Sequence, residues 1–189
     1  QHFCNVIDST KGKYIAETQK REGELQKSAG WELPEMLNFG GNFTEFKTKL
    51  SAMKPFYYDN KWKTEDAFIK FLEKSDQIEW WFKNGDRDAT FFAVPYIEND
   101  EQKPFYVDFI VKLKNGKIGL FDTKSGNTIK DAREKSDGLQ EYIKNHKNIS
   151  GGIVANTNSK DFSGRWMCYK EQGTELNPDD FSNWELLEI

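Results

Sequence analysis

Histidine and cysteine are scarce in this 189-residue sequence, which contains two of each. His2 and His146 lie far apart, and neither Cys4 nor Cys168 has a second cysteine nearby. Zinc centres and histidine-dependent catalytic triads depend on these residue types, so the sequence offers too few residues for either. Isolated cysteines are more typical of a reducing compartment than of a disulfide-linked fold, and we expect a cytoplasmic protein.

Long apolar runs are also absent, since no stretch approaches the roughly 18 residues that suggest a membrane-spanning helix. No basic stretch followed by an apolar segment opens the chain, so we expect neither a membrane span nor a signal peptide. The chain begins with Gln1, and we expect it to be a piece of a longer polypeptide. Hydrophobic residues make up 37% of the chain and aromatic residues 15%, which is sufficient for a folded core.

The net charge of −4 argues against nucleic-acid binding until the charges are located along the chain. Residues 103–147 hold ten lysines and arginines against six acidic residues. A positive segment of this kind permits contacts with phosphates, but it is equally typical of ordinary solvated surface. The charge distribution therefore leaves both interpretations open.

The most informative stretch is PFYVDFIVKLKNGKIGLFDTKSG, residues 104–126. Two apolar runs flank Asn115-Gly116, and Asn-Gly between alternating runs is a strong hairpin signal. Each run contains an acid, Asp108 or Asp122, where a buried strand normally has a hydrophobic residue. Leaving such acids unpaired inside a sheet is unfavourable, so their presence suggests a functional site.

The length of the hairpin loop decides whether these two acids meet. A two-residue loop would pair Lys114 with Lys117 and would place the acids on opposite faces of the sheet. A three-residue loop, with Gly116 as a left-handed bulge residue, would pair Leu113 with Lys117. That register puts Asp108 directly across from Asp122, with Lys124 on the same face, and we favour it because it gives the two carboxylates a shared purpose.

Two opposed carboxylates in a sheet, about 4.5–5.5 Å apart at Cβ, repel each other unless one is protonated or both share a cation. An all-oxygen, carboxylate-rich site suits Mg²⁺, with Mn²⁺ as a further possibility. Lys124 lies two residues beyond Asp122 and would reach whatever the metal binds, a combination suited to phosphodiester hydrolysis. The alternative interpretation is a salt bridge of Lys124 with Asp122 or Asp108 at a strand edge.

An acid-x-Lys triplet by itself has little specificity, because the chain contains four of them. Only Asp122-Thr123-Lys124 ends an apolar strand, follows another strand that carries an acid, and precedes a helix. The other three do not combine these features: Glu45-Phe46-Lys47, Asp59-Asn60-Lys61 and Glu101-Gln102-Lys103.

A short helix is predicted over Thr64 to Lys74, with Thr64 as its N-cap. Its apolar face consists of Phe68, Ile69 and Leu72, and Glu65 lies on that face. Glu65 is therefore either an ordinary helix-end carboxylate or a third acid that leans over the acidic face of the hairpin.

The remaining patterns predict a second hairpin from IEWWFK and ATFFAVPYIE, then the Asn-Gly hairpin, then a helix with a capping pair of Thr128 and Asp131. On that helix Gln140 flanks the apolar stripe, and Lys130 and Arg133 lie away from it. GGIVAN, residues 151–156, predicts an interior strand after a crossover helix. Together these elements predict an α/β fold, a mixed central β-sheet flanked by helices, over residues 61–189. Residues 1–60 are expected to form an N-terminal extension or connector.

With these elements in order, the chain resembles the PD-(D/E)xK nuclease superfamily. Residues 64–156 are similar in particular to the C-terminal endonuclease domain of type III restriction enzymes and related helicase-nucleases. The family's usual proline before the first acid is Val107 here, and its second acid, often glutamate, is Asp122. The Gln-x-x-x-Tyr element of some relatives is incomplete, because Tyr142 follows Gln140 by only two residues.

The resemblance implies a restriction-endonuclease-like core and a set of roles for the residues. Asp108, Asp122 and the Thr123 carbonyl would ligate Mg²⁺, and Glu65 would hold a second ion or a metal-bound water. Lys124 would orient the attacking hydroxide and offset the charge on the phosphorane. Gln140, Lys130 and Arg133 would position the nucleic acid.

We therefore expect a Mg²⁺-dependent deoxyribonuclease, the endonuclease module of a larger restriction or helicase-nuclease protein. Its partners would be DNA and a helicase or ATPase region of the same or another chain. Two alternatives remain at this point: a non-catalytic nucleic-acid-binding module of such an assembly, and a protein-interaction domain whose acidic face is incidental.

Overall fold

The computed structural model describes residues 30–59, 61–86 and 89–189. His2, Cys4 and the rest of residues 1–29 of the predicted N-terminal extension lie outside the described residues. The described strands are β1 (Thr44–Phe46), β2 (Phe56–Tyr58), β3 (Ile78–Lys83), β4 (Val94–Glu98), β5 (Glu101–Phe105), β6 (Phe109–Leu113), β7 (Ile118–Thr123), β8 (Ile149–Asn156), β9 (Trp166–Tyr169) and β10 (Glu185–Leu186). The α-helices are α1 (Lys63–Leu72) and α2 (Arg133–Lys144), and a 3₁₀ segment, Gly126–Ala132, precedes α2.

A mixed six-stranded sheet forms the centre of the described residues, in the order β10-β9-β8-β7-β6-β3. Every neighbouring pair is antiparallel except β7 and β8, which are parallel and are joined through α2. The predicted α/β class with a mixed central sheet is therefore confirmed, as is the interior strand at GGIVAN. Strand β8 lies between β7 and β9, the position that suits its nearly continuous apolar run.

Helices cover this sheet on both faces because strand side chains alternate between the two faces. Phe68, Ile69 and Leu72 of α1 are buried with residues such as Phe109 and Phe121. On the other face, Leu139 of α2 and Ala132 are buried in a second cluster with Ile110, Leu120 and Ile153. The prediction that the apolar face of the first helix packs inward is confirmed.

The three-residue bulged loop predicted for the central hairpin is also confirmed. Gly116 has φ +87°, and the amide of Gly116 donates to the Leu113 carbonyl at 2.9 Å. The amide of Leu113 donates to the Lys117 carbonyl at the same distance. Pairing runs from Lys112 opposite Ile118 to Phe109 opposite Phe121, the register that brings the ends of the two strands with Asp108 and Asp122 to one edge of the sheet.

The second predicted hairpin is wrong. Strand β3, which contains IEWWFK, pairs with β6 instead, and β4 pairs with β5 in a separate two-stranded sheet. The turn between β4 and β5 is Asn99-Asp100, and both residues have positive φ, 52° and 61°. A two-residue turn with both residues in the left-handed region matches the twist of a tight hairpin, and it was visible in the sequence as Asn-Asp. Trp81 and Phe82 of β3 are buried on opposite faces of the large sheet, which is covered on both faces.

Both predicted helix caps differ from those observed. The N-cap position of α1 is Trp62 and has no side-chain cap, while Thr64 Oγ1 donates to Ser125 Oγ at 2.9 Å. At the other helix, Thr128 Oγ1 accepts from the Ser125 amide at 3.1 Å and so stabilises the start of the 3₁₀ segment rather than pairing with Asp131.

Part of the predicted N-terminal extension contributes to the core. Phe56 and Tyr58 of β2 are buried in the same cluster as α1, and Ser51 forms an isolated parallel bridge with Trp81 of β3. Within the described part of the chain, neither α1 nor α2 is long and apolar enough to cross a membrane.

Gly151 provides a test of the parallel pairing of β7 with β8. Its φ is +138°, and a Cβ at this position would lie 1.9 Å from the Leu120 carbonyl oxygen. Gly151→Ala should therefore lower the free energy of unfolding by at least about 3 kcal/mol in urea titrations. Gly40→Ala is the control, because a Cβ there meets nothing within 4 Å. Equal unfolding midpoints for the two variants would contradict this pairing.

Candidate active site

Five ionisable side chains gather where β3 and β7 end and β6 begins, beside the first turn of α1. We call them the charged cluster: Glu65, Lys83, Asp108, Asp122 and Lys124. Glu65 belongs to α1, Lys83 ends β3, Asp108 precedes β6, and Asp122 and Lys124 lie in and just after β7. The four predicted catalytic residues are thus brought to one place, together with a lysine that the sequence analysis did not select.

Asp108 is held by the end of the neighbouring strand. Its Oδ2 accepts hydrogen bonds from the Thr123 amide at 2.8 Å and from Thr123 Oγ1 at 2.6 Å. The observed register continues to Asp108 opposite Asp122, as predicted. The hydrogen bonds to the Asp108 carboxylate come from Thr123, the next residue along β7.

Lys83 lies between two of the acids, Glu65 and Asp108. Its Nζ lies 3.3 Å from Glu65 Oε2 and 3.6 Å from Asp108 Oδ1, and it sits 5.2 Å from the centre of the Phe109 ring. Burial lowers the pKa of Lys83, but the charges of Asp108 and Glu65 raise it more, so the net pKa lies above its ordinary value. The Lys83 ammonium group thus bridges the carboxylates of Glu65 and Asp108.

Sequence reasoning missed Lys83 because it assigned β3 to the wrong partner. The observed register places Lys83 opposite Phe109, next to Asp108. One signal was available: IEWWFK ends a buried apolar strand on lysine, the same pattern that selected Lys124 after IGLFDT.

Asp122 and Lys124 form the second half of the cluster. Asp122 is 2% exposed, and Lys124 Nζ forms an ion pair with its Oδ2. The Lys124 ammonium lies directly against this oxygen and is its immediate partner. The predicted salt bridge of Lys124 with Asp122 is thus present inside the site, where it compensates the charge of the carboxylate.

The acids differ in their protonation behaviour because their surroundings differ. Burial raises the pKa of Asp122 to about 6, against the effect of Lys124, and the charge of Asp108 raises it further. Burial also raises the pKa of Asp108, but Lys83, Lys124 and the hydrogen bonds from Thr123 lower it more, so its pKa lies below the ordinary value. Asp108 is therefore the permanent anion, and Asp122 holds its proton more readily.

Glu65 has the strongest tendency to keep its proton near neutral pH. Burial raises its pKa to about 7, although Lys83 acts in the opposite direction. Tyr58 OH donates to Glu65 Oε2 at 3.1 Å, and burial followed by the charge of Glu65 raises the pKa of the phenol, which stays protonated. Glu65 is thus positioned by a tyrosine from β2 and a lysine from β3.

The donor set suits one divalent ion better than two. Among the residues that the structure describes, no three histidine, cysteine, aspartate or glutamate side chains lie close enough to hold an ion. Glu65 is set apart with Tyr58 and Lys83. Mg²⁺, however, needs only one or two carboxylates and completes its shell with water and phosphate oxygens. Asp108, Asp122 and the Thr123 carbonyl are oxygen donors of the kind that a single Mg²⁺ or Mn²⁺ would use, and Lys124 would have to move off Asp122 for the ion to bind. A second ion at Glu65 has less support.

The residues predicted to contact nucleic acid do not join the charged cluster. Gln140 is buried, and its side-chain amide donates to the Gly151 carbonyl at 3.1 Å, so it fastens α2 to β8. Lys130 is exposed on the 3₁₀ segment. Arg133 lies 3.9 Å from Glu175, a loose contact at the surface.

A cavity of about 570 Å³ opens beside the cluster. Glu65, Lys83 and Asp108 lie at its charged end, whereas Asp122 and Lys124 do not line it. Its other walls are rich in aromatic residues: Phe39, Phe43, Phe56, Tyr57, Trp62, Phe91 and Tyr106. The size is typical of a ligand-binding cleft, and it gives solvent and small molecules access to the Asp108 side of the cluster.

Comparison with protein families gives one match, a model described as the YagJ family, over residues 48–174. The matched segment contains all five residues of the charged cluster and extends from the end of β1 beyond β9. No curated protein matches the chain, and no solved structure matches it.

The raised pKa of Glu65 predicts how stability depends on pH. A carboxyl whose folded pKa exceeds its unfolded value stabilises the fold at low pH, and this contribution is lost as pH rises through about 7. The free energy of unfolding of the metal-free protein should fall between about pH 4.5 and pH 7, and Glu65→Gln should remove roughly 3 kcal/mol of that decrease. Urea titrations across this range measure it. Glu45→Gln, at an exposed position of β1, is the control, and an unchanged slope in Glu65→Gln contradicts the assignment.

Proposed function

The chain belongs to the YagJ family, and from its charged cluster we propose that it is a metal-dependent endonuclease that hydrolyses DNA phosphodiester bonds. The observation that carries the proposal is the buried Asp122–Lys124 pair beside Asp108, at the ends of adjacent strands. Gathering five ionisable groups, one buried and four half-buried, is unfavourable for folding alone, and clusters with perturbed pKa values are typical of functional sites.

The proposal includes a restriction-endonuclease-like core, as the resemblance to PD-(D/E)xK nucleases implies. Its support is the mixed sheet with α1 on one face and α2 on the other. In this arrangement the acid-x-Lys segment ends a central strand, and Asp108 begins the strand paired with it. Glu65 reaches the same edge from the first turn of α1.

Asp108, Asp122 and the Thr123 carbonyl would hold Mg²⁺, with Mn²⁺ as a possible substitute. The ion would polarise a phosphate oxygen as a Lewis acid when bound. Asp108 is suited to this role because its lowered pKa keeps it charged at neutral pH, and Asp122 because the register of β6 with β7 places it opposite Asp108.

The lysines would act on the substrate directly. Lys124 is close to a carboxylate and the Thr123 carbonyl, 3.4 Å from its Nζ, and is fixed at the strand end. From there its ammonium group would orient the attacking water and stabilise negative charge on the phosphate. Lys83 would add a second positive charge on the α1 side, where Glu65 is available to accept a proton.

The wider assignment, a nuclease module within a restriction or helicase-nuclease assembly, is supported by the resemblance in sequence over residues 64–156. In that setting the helicase or ATPase region would deliver DNA to the charged cluster. The module would supply only the cutting step.

A non-catalytic nucleic-acid-binding module is the second candidate, and one observation favours it. The two lysines already compensate most of the charge of the three acids, and the described residues contain no group of three metal-binding side chains. A module of this kind would bind DNA and would not cut it at any concentration of Mg²⁺ or Mn²⁺.

Substitutions in the acid-x-Lys segment test the catalytic proposal. Asp122→Asn and Lys124→Ala should each reduce Mg²⁺-dependent cleavage of plasmid DNA at least about 100-fold, because each removes a charge that acts on the reacting phosphate. The matched controls are Glu45→Gln and Lys47→Ala, which alter an exposed acid-x-Lys triplet on β1 and should cut like the wild type.

Circular dichroism and urea unfolding show whether each variant is folded. Cleavage by a folded Asp122→Asn or Lys124→Ala protein at the wild-type rate contradicts the mechanism. Absence of cleavage by the wild type, with binding retained, supports the second candidate instead.

A further inference from the structure

A basic groove lies along α1, beside the start of β9. Its volume is about 780 Å³, and it runs between α1 and the loop that joins β8 to β9. We define it by the residues that line it: Lys63, Asp66, Ala67, Lys70, Phe71, Lys74, Lys160, Asp161, Phe162, Ser163, Gly164 and Trp166. None of these residues belongs to the charged cluster.

One wall of the groove is a stripe of lysines along α1. Lys63, Ala67 and Lys70 recur at helical spacing, and Lys74 continues the stripe just beyond the helix end. This stripe is opposite the buried face of the helix. With a rise of 1.5 Å per residue, Lys63 and Lys70 are roughly 10 Å apart along the axis. Ala67 between them leaves room for a ligand against the helix.

The other wall is a loop held in a fixed conformation. Asn156, which is 4% exposed, donates through Nδ2 to the Phe162 carbonyl at 3.2 Å and to the Gly164 carbonyl at 3.0 Å. Phe162 has φ +58°, a conformation that a bulky residue adopts only when its surroundings impose it. The loop that carries Lys160 is therefore preorganised.

The charge of the groove is positive although the chain as a whole is negative. Four lysines line it against two aspartates, and one of these, Asp66, is already paired with Lys70 at 2.7 Å. Among the described residues, Lys63, Lys74 and Lys160 have no ion-pair partner. The four lysines and two aspartates give the groove a net charge of +2, with lysines on both of its facing walls, which is complementary to a polyanion.

The groove begins next to the charged cluster. Lys63 precedes Thr64, and Thr64 Oγ1 donates to Ser125 Oγ at 2.9 Å. Ser125 directly follows Lys124, so the first turn of α1 connects the lysine stripe to the acid-x-Lys segment. A strand bound along α1 would thus lead to the site of chemistry.

We propose that the basic groove binds the phosphodiester backbone of the nucleic-acid substrate through Lys63, Lys74 and Lys160. This inference rests on the proposed endonuclease function and adds to it the surface along which the substrate lies. It assigns backbone contacts to α1 and the β8–β9 loop, where the sequence analysis expected them from Lys130, Arg133 and Gln140.

The salt dependence of DNA binding tests the groove. The probe is a fluorescein-labelled DNA duplex of about 20 base pairs, titrated with the full chain in EDTA, so that no cutting occurs. Each lost phosphate contact lowers the slope of log Kd against log salt by about 0.9. We therefore expect the salt slope to fall by about 2–3 in the triple variant Lys63→Ala, Lys74→Ala, Lys160→Ala. This variant should also bind DNA at least about tenfold more weakly.

A second triple variant, Lys47→Ala, Lys114→Ala, Lys117→Ala, removes the same charge from exposed positions outside the groove and should bind like the wild type. The variant Lys63→Arg, Lys74→Arg, Lys160→Arg keeps the charges and should retain the wild-type slope. Thermal unfolding confirms that the variants are folded.

The groove proposal would be overturned by equal losses of DNA affinity in the two alanine variants, by an unchanged salt slope in the groove variant, or by no binding of the wild type at about 50 mM salt. These outcomes are separable from the fate of the endonuclease proposal. If the wild type cleaves DNA in Mg²⁺ but the groove variant keeps the wild-type salt slope, only the groove proposal is wrong. If the groove variant has a lower slope but the wild type does not cleave DNA, the groove proposal stands and the endonuclease proposal is wrong.

Discussion

Mutual compensation of buried charge is the interaction on which the site depends. Lys83 lies between Glu65 and Asp108, and Lys124 lies against Asp122, so each acid has a cation in its immediate surroundings. Removing one partner from such a pair typically destabilises a protein by about 3–5 kcal/mol, because the other charge stays buried. Two lysines balance Asp108 and Asp122, and an excess negative charge arises only when Glu65 loses its proton, at about pH 7.

The fold places these charges through backbone features that are far from them. The bulge at Gly116 sets the register of β6 with β7, which brings Asp108 and the end of β7 together. The burial of Phe68 against Phe109 and Phe121 fixes α1 over the same edge, which in turn fixes Glu65. The site thus depends on two separate features, the register of β6 with β7 within the sheet and the packing of α1 against the sheet.

The local parts of this arrangement could be predicted from the sequence. Asn115-Gly116 determines the hairpin through local backbone geometry, and the apolar spacing of Phe68, Ile69 and Leu72 determines which face of α1 is buried. Non-local parts could not be predicted in the same way. The partner of β3 depends on how a complete sheet buries its aromatic residues, and the error in pairing concealed Lys83. Likewise, the hydrogen bonds that Thr123 donates to Asp108 join two strands, and no local pattern specifies them.

The central claim is that Asp108 and Asp122 share a divalent ion. A crystal structure of the protein with Mn²⁺, examined by anomalous scattering, tests it most directly. The account predicts one anomalous peak within about 2.0–2.3 Å of an oxygen of each carboxylate, with both lysines displaced from the metal position. Crystals grown in millimolar Mn²⁺ that show no peak there, with Lys83 and Lys124 still paired to the acids, would contradict it.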